Sequence, residues 1–372
     1  MTDTGTEGRV RGWRGRAVIA VLGVAVLAAA GYVAIQYRDT DGGGPLVAGS
    51  PNAPADGAPA TAVTPSAPAG SLPPSLSASA ATASASASGP ASPSPSKTTA
   101  AKPSTGGFPG AHNTGVPAGT NLTRYSGPCT VTANRTVVTG KIINCDPFLI
   151  NARDVVIRKS LIKGTLTTTE GTGFSFTLED SEVAAGMWQG PAVLSTNMTI
   201  RRSDIHGGQT SVSCYANCDI RDSWLHGQLL KDGTDWHLGG FLANDTNGNG
   251  RSNVTLIHNT IVCDAASNSA GGGCSGNVNL FPDFGPVSGI VIRNNFLGAS
   301  EHVSYCLYGG SEENKQYNDG VRDIVVENNV FERGSNRKCG GYGPVTSFDT
   351  KLPGNRWTGN IWSDGKPVPP AN

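Results

Sequence analysis

The segment KDGTDWHLGG, residues 231–240, holds the chain's densest set of groups able to move protons. Lys231 and His237 are candidate bases, and Asp235 is a carboxylate able to orient either of them. Asp232 and Trp236 stand among them. A base held by a carboxylate beside an indole suits chemistry on a sugar, whose apolar ring face can rest on the aromatic. If the reaction is β-elimination, Tyr305 or Arg251 would protonate the leaving oxygen. The candidate catalytic set is then His237, Asp235, Lys231, Tyr305 and Arg251. Trp236, Asp232, Asn277, Asn279 and Tyr308, with His206 and His226, are the candidate substrate contacts, since amides and phenols suit sugar hydroxyls. The competing reading is a wet loop, because Asp-Gly and Gly-Gly are also ordinary turn pairs.

Metal chemistry is weaker. DTNGNG (245–250) opens like a calcium loop, with Asp245, Asn247 and Asn249 at alternate positions and Gly250 sixth. Its twelfth position is Leu256, where calcium needs a bidentate Glu, so no cofactor is expected and calcium has thin support. Cys214-x3-Cys218 lacks a second ligand pair nearby, so no zinc site is expected either.

What positions these groups is a phrase repeated eight times: VVIRKSLI (155–162), FTLEDSEV (176–183), MTIRRSDI (198–205), CDIRDSWL (218–225), VTLIHNTI (254–261), IVIRNNFL (290–297), IVVENNVF (324–331) and NRWTGNIW (355–362). The third and eighth letters are always apolar. The sixth is Ser160, Ser181, Ser203 and Ser223, then Asn259, Asn295, Asn329 and Asn360. Successive copies lie 21, 22, 20, 36, 36, 34 and 31 residues apart. Units of about 20 residues with short β-branched runs fit three strands and three turns, one coil of a β-solenoid. The fold expected is all-β, a right-handed parallel β-helix with a Ser/Asn ladder at a bend where Asn tolerates left-handed backbone. TVVTGKII (136–143), with Lys141 at the ladder position, reads as its N-terminal capping coil. The longer spacings place insertions on one side, so the candidate site falls on a groove formed by the first strand of each coil and these insertions. The register also makes His206 and His226 stacked neighbours on adjacent coils, with no carboxylate beside them in their column.

Residues 17–35 form an apolar run of 19, long enough to cross a bilayer as a helix. Arg9, Arg11, Arg14 and Arg16 precede it, which orients the N-terminus to the cytoplasm. A cleaved signal peptide is the alternative, and both readings export the rest of the chain. The expected organisation is a basic tail (1–16), a transmembrane signal-anchor (17–37), a disordered Ala/Ser/Pro-rich spacer (38–118) and the β-helix (119–372). The spacer has too few apolar side chains to bury a core. The localisation expected is single-pass in the cell membrane with the β-helix outside, or secreted if the signal is removed.

All eight cysteines lie in the exported part, where disulfides are favoured. The coil register pairs Cys129 with Cys145, Cys214 with Cys218, Cys263 with Cys274, and Cys306 with Cys339. Five N-x-Thr triplets begin at Asn121, Asn134, Asn197, Asn244 and Asn253. They are glycan acceptors in a suitable pathway, or products of a Thr- and Asn-rich composition. The 21 Lys/Arg and 23 Asp/Glu from residue 119 onward leave that part near neutral, so nucleic acid is not an expected partner. The expected partners are the membrane and an extracellular or cell-wall polysaccharide, with oligomeric state left open.

The strings FPGAHNTGVPAGTNLTRYSGPCTV, HNTIVCD before GGCSGN, FERGSNRKCGGYGPVTSF and the closing WTGNIWSDG resemble those of exported right-handed parallel β-helix proteins of actinobacteria, within the pectate-lyase-like superfold. The resemblance spans about residues 108–370. It implies the fold and an exported location, and no settled activity. The polygalacturonase, pectate lyase and alginate epimerase strings known on this superfold are absent, and His237-Leu238-Gly239-Gly240 stands where related β-helices often carry His-x-Asp-Gly. The function expected is binding or processing of a polysaccharide, by β-elimination if catalytic, against a non-catalytic adhesion or structural module.

Overall fold

The computed structural model describes residues 107–170, 173–244 and 251–372. The expected membrane helix, nearly all of the spacer and the calcium-like loop 245–250 lie outside the described residues. No helix among the described residues is long and apolar enough to cross a membrane.

The described chain is a parallel β-helix. Its strands fall into three sheets in which every neighbour is one coil away in sequence. Sheet I has ten strands, from Thr123–Arg124 to Ile361–Trp362; sheet II has nine, from Thr130–Val131 to Gly343–Thr346; sheet III has nine, from Val137–Thr139 to Arg356–Thr358. Each coil runs through sheets III, I and II in turn. Equivalent letters of the repeated phrase pair coil to coil in sheet III: Ile157 with Leu178, then Ile200, Ile220, Leu256, Ile292, Val326 and Trp357. All but Trp357 have no exposed surface, so these letters form one column of the core. Leu256 belongs to that column, as its place in the phrase requires.

The ladder serines and asparagines are all buried. A correction concerns the backbone that makes their bend. The left-handed residue is the fifth letter, one before the ladder: Lys159, Asp180, Arg202, Asp222, His258, Asn294, Asn328 and Gly359, each with φ between 45° and 65°. None is β-branched, in keeping with the steric limits of that region. The capping coil repeats the pattern, with Gly140 at φ 65° and the Lys141 N–H donating to the Ser160 hydroxyl at 3.1 Å.

A second, outer asparagine ladder runs where sheet II turns into sheet III. Asn197, Asn217 and Asn253 are left-handed, and the amide of each of the last two donates to the Oδ1 of the one before at 2.9 Å. Two of the five N-x-Thr asparagines, Asn197 and Asn253, therefore hold the scaffold.

Both ends of the core are closed. Tyr125 packs edge-on against Phe148 at one end. At the other, Val368 is buried and its carbonyl accepts from Trp357 Nε1 at 2.7 Å. Residues 107–116 lie along the flank of sheet I. Phe108 meets His258 and Phe296 with ring centroids 5.5 and 5.4 Å away, and the Gly115 N–H donates to the Arg202 carbonyl at 3.0 Å. The chain then reaches Thr123, which pairs with Lys141.

The four disulfides are Cys129–Cys145, Cys214–Cys218, Cys263–Cys274 and Cys306–Cys339, the pairs that the register selects.

Candidate functional site

Sheet II is the face that the insertions flank. Val193, Val212, Phe241, Val278, Leu307 and Val345 pair in register and fill the interior. The next residue in each strand points the other way, giving an outer column of Leu194, Ser213, Leu242, Asn279, Tyr308 and Thr346. Beside it, Gly239 and Gly276 leave room that other residues need. A Cβ on Gly239 would come within 2.2 Å of Asn279 Nδ2, and one on Gly276 within 2.4 Å of Asn279 Oδ1 and 3.0 Å of Tyr308 Cδ2.

Over this floor lies a row of four rings from three coils. Tyr342, Tyr305, Tyr308 and Phe281 follow one another at centroid distances of 5.8, 5.4 and 5.1 Å. Tyr342 is 67% exposed, Tyr305 is half-buried and Tyr308 is only 8% exposed. The steep Tyr305–Tyr308 angle of 82° makes Tyr308 a strut that props Tyr305, leaving Tyr305 and Tyr342 to present surface. Burial pushes the Tyr308 phenol well above its ordinary pKa, so it stays a neutral hydroxyl.

At the far end of the row, two insertions bring Asp283, Glu312 and Lys315 together. Lys315 Nζ lies 2.5 Å from Asp283 Oδ1 and 4.0 Å from Glu312 Oε2, and 5.9 Å from the Phe281 ring centre. Burial raises the Glu312 carboxyl above the usual carboxylate range, against the pull of Lys315. This cluster, and Tyr342, went unseen in the sequence because their residues come from separate insertions with no motif spacing.

The residues selected from sequence are dispersed. Lys231, Asp232 and Asp235 are exposed on the insertion before strand His237–Ala243, where Thr234 closes a turn on the Lys231 carbonyl. His237 is exposed at the start of that strand, and its carbonyl accepts from Gln209 Nε2 at 2.8 Å. Arg251 follows the opposite end of the same seven-residue strand, about 20 Å away by strand geometry. It pairs there with Asp323 at 3.3 Å. His237 and Arg251 therefore cannot serve one leaving group. Tyr305 lies two strands from the His237 strand, about 10 Å across the sheet.

Two candidate contacts are corrected outright. Trp236 is 9% exposed and packs into the core, so it is no platform for a sugar. Asn277 is fully buried: its Oδ1 accepts the Cys263 N–H and its Nδ2 donates to the Gly298 carbonyl, both at 2.8 Å. It holds the coil and is out of reach of a ligand. Asn279 and Tyr308 do come together, in register on the outer column.

His206 and His226 are neighbours, with ring centroids 5.6 Å apart, but carboxylates do accompany them. His206 Nε2 is 3.1 Å from Glu182 and His226 Nε2 is 2.8 Å from Asp204, each acid lying one coil back and two residues earlier along the strand. The hydrogen bond that His206 donates to Glu182 raises the His206 pKa, outweighing burial. His226 stacks on Trp224 at 3.4 Å. These pairs lie on sheet I, away from the ring row. Among the described residues, no group of three or more His, Cys, Asp or Glu is placed to hold a metal ion.

No family model, curated protein or solved structure matches the chain.

Proposed function

We propose that the protein is an exported, membrane-anchored β-helix of the actinobacterial pectate-lyase-like type, which binds a polysaccharide across the outer face of sheet II. The observation that carries this reading is the ring row, with Tyr342 and Tyr305 presented over a glycine floor. Aromatic faces pack on the apolar faces of sugar rings, and phenols and amides at their edges suit hydroxyls. The dispersal of His237, Lys231, Asp235, Tyr305 and Arg251 favours retention of a glycan over β-elimination. A second reading, a structural surface rod, is favoured by the four disulfides and the closed ends.

Affinity electrophoresis of the chain in gels containing xylan, β-glucan or polygalacturonate tests this. Retardation in one of them is expected, weakened about tenfold by Tyr342→Ala, equivalent to about 1.4 kcal/mol. Free migration in all three, or retardation indifferent to Tyr342→Ala and Tyr305→Ala, would refute the binding face. Unsaturated products that vanish with His237→Ala would restore elimination.

A further inference from the structure

We propose that Lys315 and Asp283 join through an amide bond that the protein forms by itself, with Glu312 as the proton carrier. Among the described ion pairs, Lys315 supplies the only primary amine; the other cations are arginines, which cannot be deprotonated, and histidines. The three side chains of the cluster are about three-quarters buried, at 28%, 26% and 24% exposure for Lys315, Asp283 and Glu312. Phe281 covers the amine.

The backbone holds the reactants in place. The Glu312 N–H donates to Asn318 Oδ1 at 2.8 Å, and the Lys315 N–H to the Glu312 carbonyl at 2.9 Å. The Asn318 N–H donates to the Lys315 carbonyl at 3.1 Å, and the Tyr317 N–H reaches the Pro282 carbonyl beside Asp283. Fixing an amine against a carboxyl in this way replaces a bimolecular encounter with an intramolecular one.

The steps balance without an added reactant. A proton passes within the pair from Lys315 Nζ to the Asp283 carboxylate, leaving a free amine and a carboxylic acid. The Nζ lone pair attacks Asp283 Cγ while Glu312, in its acid form, protonates the carbonyl oxygen. The Glu312 carboxylate then takes a proton from nitrogen and returns it to the departing hydroxyl. The Cγ–O bond breaks, water leaves and the amide remains, with Glu312 again neutral after it recovers the carbonyl proton. An ammonium and a carboxylate have become an amide and one water. The bond ties together insertions from adjacent coils, 32 residues apart in sequence.

Intact-mass spectrometry of the unfolded chain, disulfides kept, decides the matter. The expected mass is lower by one water than the sequence with four disulfides, and digestion should yield a branched peptide joining Asp283 to Lys315. Lys315→Arg and Glu312→Gln should each restore the full mass, while Asp283→Asn should cross-link with loss of ammonia. A wild-type chain at full mass overturns the proposal, and so does a water loss that persists in Lys315→Arg. Neither result touches the glycan-binding reading, which uses other side chains.

Discussion

The coils from residue 155 to 225 and those from 254 to 362 stack in one register but are fastened differently. In the first group the ladder hydroxyls turn back on their own coil: Ser160, Ser181, Ser203 and Ser223 each donate to the carbonyl two residues before. In the second, the amides cross between coils. Asn259 Nδ2 donates to the Ile220 carbonyl and to Asn295 Oδ1, and Asn295 repeats this with Leu256 and Asn329. Charge joins adjacent turns in both groups, as in Arg202–Asp180, Arg201–Asp219 and the histidine pairs among the tight coils and Arg293–Glu327 and Arg333–Asp364 among the long ones. Disulfides occur in both groups too: Cys214–Cys218 and Cys263–Cys274 close local turns, and Cys306–Cys339 joins neighbouring coils. The difference lies in the ladder, where serine hydroxyls accept an N–H from the coil before and asparagine amides add bonds from their nitrogen to both neighbouring coils.

The largest effect should come from the disulfides. Removing Cys306–Cys339, which closes 33 residues, should lower stability by about 4 kcal/mol, against about 2 kcal/mol for the 4-residue Cys214–Cys218 link. Urea titration of the two double-alanine variants measures this, and equal losses would remove the distinction between spanning and local ties. Next, Asn295→Ala should cost about 3 kcal/mol, because it strands the Leu256 carbonyl and the Asn259 N–H in the core. Ser223→Ala should cost about 1 kcal/mol, since it removes one hydroxyl that accepts from Ser203 and donates to Arg221. The same titration compares them, and parity would show that the two ladders are equivalent.

The smallest effect is electrostatic and confined to the tight coils. His206 has its pKa raised in the fold by Glu182 above the ordinary 6.5. A raised histidine pKa gives stability that is complete below the unfolded value and lost as pH climbs through the folded value. With both side chains about a third exposed, the loss should be a few tenths of a kcal/mol. It should disappear in Glu182→Gln, as read from thermal midpoints between pH 6 and 9.

Much of the scaffold was legible because a solenoid repeats its constraints. Apolar third and eighth letters fixed the register, and the register fixed the cysteine partners and the place of Leu256. The fifth-letter bend was also readable, as a column without a β-branched residue. The site was harder to read. Comparing like letters could not show that Glu182 reaches His206, because the contact runs diagonally, one coil and two residues away. Asp283, Glu312, Lys315 and Tyr342 lie outside the phrase, and only folding brings their insertions together. Trp236 misled because an indole between charged residues looks exposed, whereas the insertion folds its ring into the core.

The strap at residues 107–116 gives the molecule a defined response to tension. A pull on residue 107 acts first where Phe108 meets His258 and Phe296, midway along the rod, and peels contacts one after another toward Thr123. Such sequential rupture proceeds at low force. It should stop at Cys129, where the bridge to Cys145 carries the load past the first coil. Force spectroscopy should therefore show one early, compliant lengthening of at most about 75 Å, followed by a stiff, fully coiled rod. Residues 107–128 thus form a built-in slack that can be drawn out without loosening the coils beyond the first bridge.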